Sequence, residues 1–167
     1  MKLFLVGLPG SGKSTLGKQL AQSLSLPFID LDEAIEEQTR QPIRDTFAQR
    51  GEAFFRQLEQ QTLQSIIHQQ PSFVMATGGG APCFSDNMDI MNQAGTTLFV
   101  DTPVSIIAER MLREGIAVRP LLQQLDANNF EQAYLEKFAY RLPHYQQAVI
   151  TVSPKDALHA LVAKLKS

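Results

Sequence analysis

The sequence predicts an α/β fold built on a parallel sheet, and three features of the chain lead there. Short apolar runs bounded by turn residues recur along it, and longer segments with apolar residues three and four apart lie between them. The short runs are continuously apolar rather than alternating, as expected of strands covered on both faces. The length of 167 residues is close to the ~150 expected per domain. With 44% apolar and 19% charged residues, the composition fits one folded domain over 1–167.

The first predicted strand is Leu3 to Val6. Lys2 followed by apolar residues to Leu8 imitates the start of a secretory leader, but the run ends at once in Pro9-Gly10-Ser11-Gly12-Lys13 with no small-residue cleavage site. The strand feeds Gly7-Leu8-Pro9-Gly10-Ser11-Gly12-Lys13-Ser14-Thr15, which matches G-x-x-x-x-G-K-[ST], and a helical stretch from Leu16 to Leu24 follows. The glycines let the backbone curl, so that the N–H groups from Gly10 to Thr15 surround phosphate oxygens at a helix N-terminus. Lys13 adds a fixed positive charge for the β- and γ-phosphates, and the Ser14 hydroxyl is the expected Mg²⁺ ligand. With Gly near 7% of residues, a chance match is on the order of one in a hundred. The segment predicts binding of a nucleoside triphosphate.

The second strand, Phe28 to Ile29, runs into Asp30-Leu31-Asp32-Glu33, with five acids and no base between Asp30 and Glu37. Alternation along an extended chain puts Asp30 and Asp32 on one side at the carboxyl end of a strand, where such sheets bind ligands. One carboxylate can hold a Mg²⁺-bound water and the other can accept a hydroxyl proton. The alternative is that Asp32 only caps a helix starting at Glu33, whose positive end would favour Glu33, Glu36 and Glu37.

Gly51-Glu52-Ala53-Phe54-Phe55-Arg56 breaks one helix and opens another. Arg56 shares a face with Glu59 and Gln60, so its guanidinium either forms a surface ion pair or offers a fork to a carboxylate or phosphate. The third strand, Phe73 to Ala76, ends in Thr77-Gly78-Gly79-Gly80-Ala81-Pro82. Three glycines there make either a flexible loop or a bare backbone that a ligand approaches closely. Cys83 reads as a small packing residue.

The fourth strand, Thr97 to Val100, precedes a helix with Val104, Ile107, Ala108, Met111 and Leu112 on one face. Arg110, Arg113 and Gly115-Ile116-Ala117-Val118-Arg119-Pro120 follow. The Gly and Pro around Arg119 suit a lid, over about 113–126, that delivers an arginine to a transferring phosphate and excludes water. Arg141 stands near Pro143 and Tyr145, late in a helix, and Val149 to Val152 is the last strand.

In this order and spacing the motifs resemble the shikimate kinase family, within the nucleoside-monophosphate-kinase-like branch of P-loop proteins. The resemblance runs from Leu3 to about Tyr145 and rests on Gly7 to Ser14, Asp30-Leu31-Asp32, Gly51-Glu52 to Phe55-Arg56, Gly78-Gly79-Gly80, and Val118-Arg119-Pro120-Leu121-Leu122. It implies a three-layer α/β/α fold around a five-stranded parallel sheet in the order 2-3-1-4-5. It also implies transfer of the ATP γ-phosphate to the 3-hydroxyl of shikimate, a step toward the aromatic amino acids. Asp32 would hold the shikimate hydroxyls and act as base, within a substrate-binding segment of about 31–60. Asp30 would hold Mg²⁺ through water. Arg56 and Arg141 would grip the shikimate carboxylate, and the triplet Gly78, Gly79 and Gly80 would supply backbone donors. Lys13 and Arg119 would act on the phosphates, and either Arg110 or Arg113 would pack on adenine. The family's adenine-contact loop is shortened here to Val152-Ser153-Pro154.

Composition bounds the alternatives. Fifteen basic and 17 acidic side chains leave a formal charge of −2, which argues against holding nucleic acid or an anionic membrane by bulk electrostatics. Nothing approaches the ~20 apolar residues of a membrane span. One cysteine allows no internal disulfide, and with His68, His144 and His159 it makes no zinc spacing, so a monomer in a reducing cytoplasm is expected. A gluconate or nucleotide kinase of the same branch would not ordinarily combine the glycine triplet with G-E-x-x-F-R. A non-catalytic nucleotide-binding module would not need Lys13, Ser14, Asp32 and Arg119 together.

Overall fold

The computed structural model describes residues 1–114 and 129–167. Its strands are β1 (Lys2–Val6), β2 (Phe28–Asp30), β3 (Phe73–Ala76), β4 (Thr96–Val100) and β5 (Ile150–Val152), all parallel and bonded in the order β2-β3-β1-β4-β5. Helices α1 (Lys13–Leu24), α2 (Leu31–Thr39), α3 (Ile43–Gln69), α4 (Asn87–Ala94), α5 (Val104–Glu114), α6 (Phe130–Phe138), α7 (Leu142–Tyr145) and α8 (Leu158–Lys166) connect and cover them. Among the described residues no helix is long and apolar enough to cross a membrane.

The continuous apolarity of the strands has the expected cause. Successive side chains of central β1 point to opposite faces, and both faces are buried. Phe4 and Val6 join Met75, Phe99, Ile35, Phe55 and Ile107 in one core. Leu3 and Leu5 join Val74, Leu98, Leu20 and Leu161 in the other, under α1 and α8. Each such side chain contributes about 1.5–3 kcal/mol by leaving water. Because every strand runs the same way, the segments after β1, β2, β3 and β4 emerge at one edge of the sheet. That edge is where the chemically equipped motifs lie.

Local details depart from the sequence expectations: α1 begins at Lys13 rather than Leu16, β4 at Thr96 rather than Thr97, and Arg141 closes a 3-10 turn instead of standing late in a helix. The last strand begins at Ile150, while Val149 is exposed and its N–H donates to Thr97 Oγ1 at 2.9 Å. The helix after β2 begins at Leu31, not Glu33, and its cap is Asp30, not Asp32. The break expected at Gly51 is present as a kink inside α3, where Gly51 adopts φ 81° and ψ 171°.

That backbone conformation is essentially restricted to glycine and costs other residues roughly 1–3 kcal/mol. Nothing lies within 4 Å of where a Gly51 Cβ would stand, so crowding adds nothing to the backbone cost. Gly51→Ala is therefore expected to lower unfolding stability by roughly 1–3 kcal/mol in urea titrations. A midpoint equal to that of the wild type would mean that the kink relaxes without strain.

Candidate active site

β1 ends at Val6 and the chain turns through Gly7 to Gly12 into α1. Gly10 (φ 83°) and Gly12 (φ 95°) occupy left-handed backbone that L-residues rarely adopt, which is why the motif places glycines there. Lys13 is 7% exposed, and its Nζ donates to the carbonyls of Gly7 at 2.9 Å and Leu8 at 3.0 Å. Two residues that the sequence does not mark brace the loop from outside. Thr102 Oγ1 donates to the Ser11 carbonyl at 2.7 Å, and the Tyr134 hydroxyl donates to the Pro9 carbonyl at 2.6 Å.

The loop opens onto a cleft of about 760 Å³ that Asp30, Asp32, Gly78, Gly79, Arg110 and the segment Val152–Pro154 also line. Arg110 reaches the loop, with Nη1 3.4 Å from the Ser11 carbonyl oxygen. Arg113 turns outward, 72% exposed and paired with Glu109. Of the two arginines expected near adenine, the structure brings Arg110 alone to the cleft. Arg119 and most of the lid segment 113–126 lie outside the described residues.

Asp30 and Asp32 reach one cleft by a different route from the expected strand alternation. The strand stops at Asp30, and the first turn of α2 carries Asp32 round to the same side. Asp30 Oδ1 accepts from the N–H groups of Asp32 (3.1 Å) and Glu33 (3.4 Å), while Oδ2 accepts from Ser14 Oγ at 2.9 Å. Ser14 and Asp30 thus put two hard oxygen donors side by side, the donor type that Mg²⁺ takes. Among the described residues no group of three or more His, Cys, Asp or Glu can hold a metal, so phosphate and water oxygens would complete the shell. Burial, and next the charge of Asp30, raise the Asp32 pKa to about 6, with Lys13 pulling against the rise.

The triplet after β3 is close-packed rather than loose. A Cβ on Gly78 would stand 2.7 Å from Asp32 Oδ1. On Gly79 it would stand 3.0 Å from Pro9 and 3.2 Å from Arg141 Nη1, and on Gly80 it would stand 2.5 Å from Arg56 Nη2. Each glycine is bare where one charged side chain lies against the backbone. Arg56 is not a surface pair: its side chain is 13% exposed, its Nη1 bonds Glu59 Oε2 at 2.9 Å, and Glu59 is 1% exposed. Burial pushes the Glu59 carboxyl up, against the pull of Arg56. The Phe84 ring lies 4.2 Å from the guanidinium. Arg141 closes a 3-10 turn, Ala139–Arg141, with Nε donating to the Tyr140 hydroxyl at 3.1 Å. Cys83 is half-buried against the core, and burial pushes its thiol up, as suits a packing residue.

Comparison with known proteins meets this geometry. The family model described as shikimate kinase matches residues 9–166. A shikimate kinase of Bacteroides fragilis is 43% identical over 151 residues, which cover 89% of this chain and 82% of the relative. Among solved structures, a shikimate kinase from Bacteroides thetaiotaomicron has a TM-score of 0.87 at 37% identity, covering 99% of this chain and 96% of the other. One from Acinetobacter baumannii, in complex with shikimate, has a TM-score of 0.82 at 33% identity, covering 99% and 90%. With the phosphate loop and the paired acids lining one cleft and the arginines packed on the glycine triplet beside it, the chain belongs to the shikimate kinase family.

Proposed function

We propose that the protein transfers the γ-phosphate of ATP to the 3-hydroxyl of shikimate, giving shikimate 3-phosphate and ADP. The observation that carries this reading is the convergence of one carboxylate and two guanidinium groups on Gly78, Gly79 and Gly80, beside the phosphate loop. A hydroxylated ring with one carboxylate needs an acid for its hydroxyls and cations for its anion. Arg56 and Arg141 hold the carboxylate, and the N–H groups of the triplet add neutral donors. The loop and Lys13 hold the phosphates of ATP, with Arg110 at the adenine side.

Asp32 takes the proton of the 3-hydroxyl as its oxygen bonds to the γ-phosphorus and the bond to the departing ADP oxygen breaks. A pKa of about 6 leaves Asp32 mostly ionised at neutral pH yet a stronger base than an ordinary carboxylate. Mg²⁺, held by Ser14 and through water by Asp30, would neutralise phosphate charge. Arg119 would add a second cation at the transferring group from the lid. The enzyme is taken to act as a monomer in the cytoplasm.

The test is ADP release with ATP, Mg²⁺ and a panel of shikimate, gluconate and a nucleoside monophosphate. Release with shikimate alone is expected. Release with another acceptor but not shikimate would replace this reading, and nucleotide binding with no turnover would favour a non-catalytic module.

Asp32→Asn is expected to lower kcat at least about 100-fold while ATP affinity stays within about two-fold, since the base acts only in transfer. In the wild type, kcat/KM should fall on the acid side with an apparent pKa near 6, read from a pH–rate profile. The same group shapes stability with a definite sign. A carboxyl whose folded pKa is raised binds its proton more tightly when folded, so ionised Asp32 costs stability above about pH 6 and nothing below its ordinary 3.8. Asp32→Asn should therefore be more stable to unfolding than the wild type at pH 7.5, by about 3 kcal/mol at most, and lose that gain as the pH falls to 4. A gain that persists at pH 4 would assign the effect to something other than the charge.

A further inference from the structure

Tyr145, the last residue of α7, is fully buried and stacks on Phe99 with ring centroids 5.6 Å apart. A phenol hydroxyl in such a core needs a partner, and this one donates to the carbonyl oxygen of Gly79 at 2.5 Å. Burial pushes its pKa up, so the hydroxyl keeps its proton and remains a donor. Arg141 Nη1 lies against the same glycine, 3.2 Å from where a Gly79 Cβ would stand, and its charge pulls against that rise. One hydroxyl thus touches the backbone of the triplet and neighbours one of the two arginines that grip the acceptor anion.

The peptide bond between Gly79 and Gly80 is trans, so its carbonyl and its N–H point in opposite directions. Fixing the Gly79 carbonyl toward Tyr145 therefore turns the Gly80 N–H away from it. Gly80 is buried, and among the described residues its N–H donates to no protein acceptor. A buried N–H without a partner is costly, and a ligand oxygen relieves it. The sequence offers no sign of this arrangement, because Tyr145 and Gly79 are 66 residues apart.

We propose that Tyr145 is a positioning residue for the acceptor, whose hydroxyl sets the Gly79–Gly80 peptide and Arg141 together, so that one backbone N–H and one guanidinium meet the acceptor as a unit. This rests on the reading of shikimate as acceptor.

Tyr145→Phe removes the hydroxyl and keeps the ring. It is expected to raise both the shikimate KM and the shikimate Kd measured calorimetrically without nucleotide by about ten-fold, with the ATP KM within about two-fold and kcat reduced no more than about three-fold. Phe99→Leu loosens the same packing but leaves the hydroxyl, and should lower the melting temperature with a wild-type shikimate KM. An unchanged shikimate KM and Kd in Tyr145→Phe would overturn the role. So would a rise of both substrates' KM in both variants in step with lost stability. A wild type that releases no ADP with shikimate would overturn the functional reading itself, whereas wild-type turnover with an unaffected Tyr145→Phe overturns the positioning role alone.

Discussion

Close packing of three charged side chains on the bare backbone of Gly78, Gly79 and Gly80 is the constraint on which the site depends. Asp32 comes from the first turn of α2, Arg56 from the helix after the Gly51 kink, and Arg141 from the turn before α7. These elements are far apart in the chain and meet only because the segment after β3 has no side chains to hold them off. The same closeness tunes the chemistry. Asp32 is pushed to a pKa of about 6 by burial and by Asp30, while the guanidinium of Arg56 is fixed by a carboxylate, Glu59, that is itself out of water. A buried pair of this kind contributes little net stability but holds its geometry firmly.

The phosphate side is built on the same sheet edge and braced in a similar way. Thr102 and Tyr134 hold the outer rim of the loop through the carbonyls of Ser11 and Pro9, as Tyr145 holds Gly79. Pro9 also lies against Gly79, so the donor and acceptor halves of the cleft touch directly. A formal charge of −2 conceals a local grouping of charge, with Lys13 and Arg110 beside Asp30 and Asp32 along the cleft and Arg56 and Arg141 against the triplet.

What was legible in the sequence was whatever is local. The phosphate loop, the apolar strands and the Gly51 break are written in contiguous residues, and the structure has each of them, with strand ends shifted by a residue as at Val149. Strand alternation predicts Asp30 and Asp32 in one cleft, but a helical turn brings them there, because Asp30 ends the strand by capping α2. Arg56 and Glu59 could be placed on one helix face, yet their burial depends on Phe84 and the triplet, which no spacing reveals. Arg110 and Arg113 are nearly one helical turn apart, and only contacts with Ser11 and Glu109 separate their fates. Thr102, Tyr134 and Tyr145 were invisible because their partners lie 91, 125 and 66 residues away and their hydroxyls look like any others.

Gly80→Ala, assayed by ADP release against shikimate and against ATP, tests the dependence of the acceptor site on this packing most directly. The added methyl would stand 2.5 Å from Arg56 Nη2, so the guanidinium must shift against its buried pair with Glu59, at some cost in stability but with the fold retained. A shikimate KM raised at least about ten-fold, with the ATP KM within about two-fold, is the expected result. A shikimate KM equal to that of the wild type would contradict it.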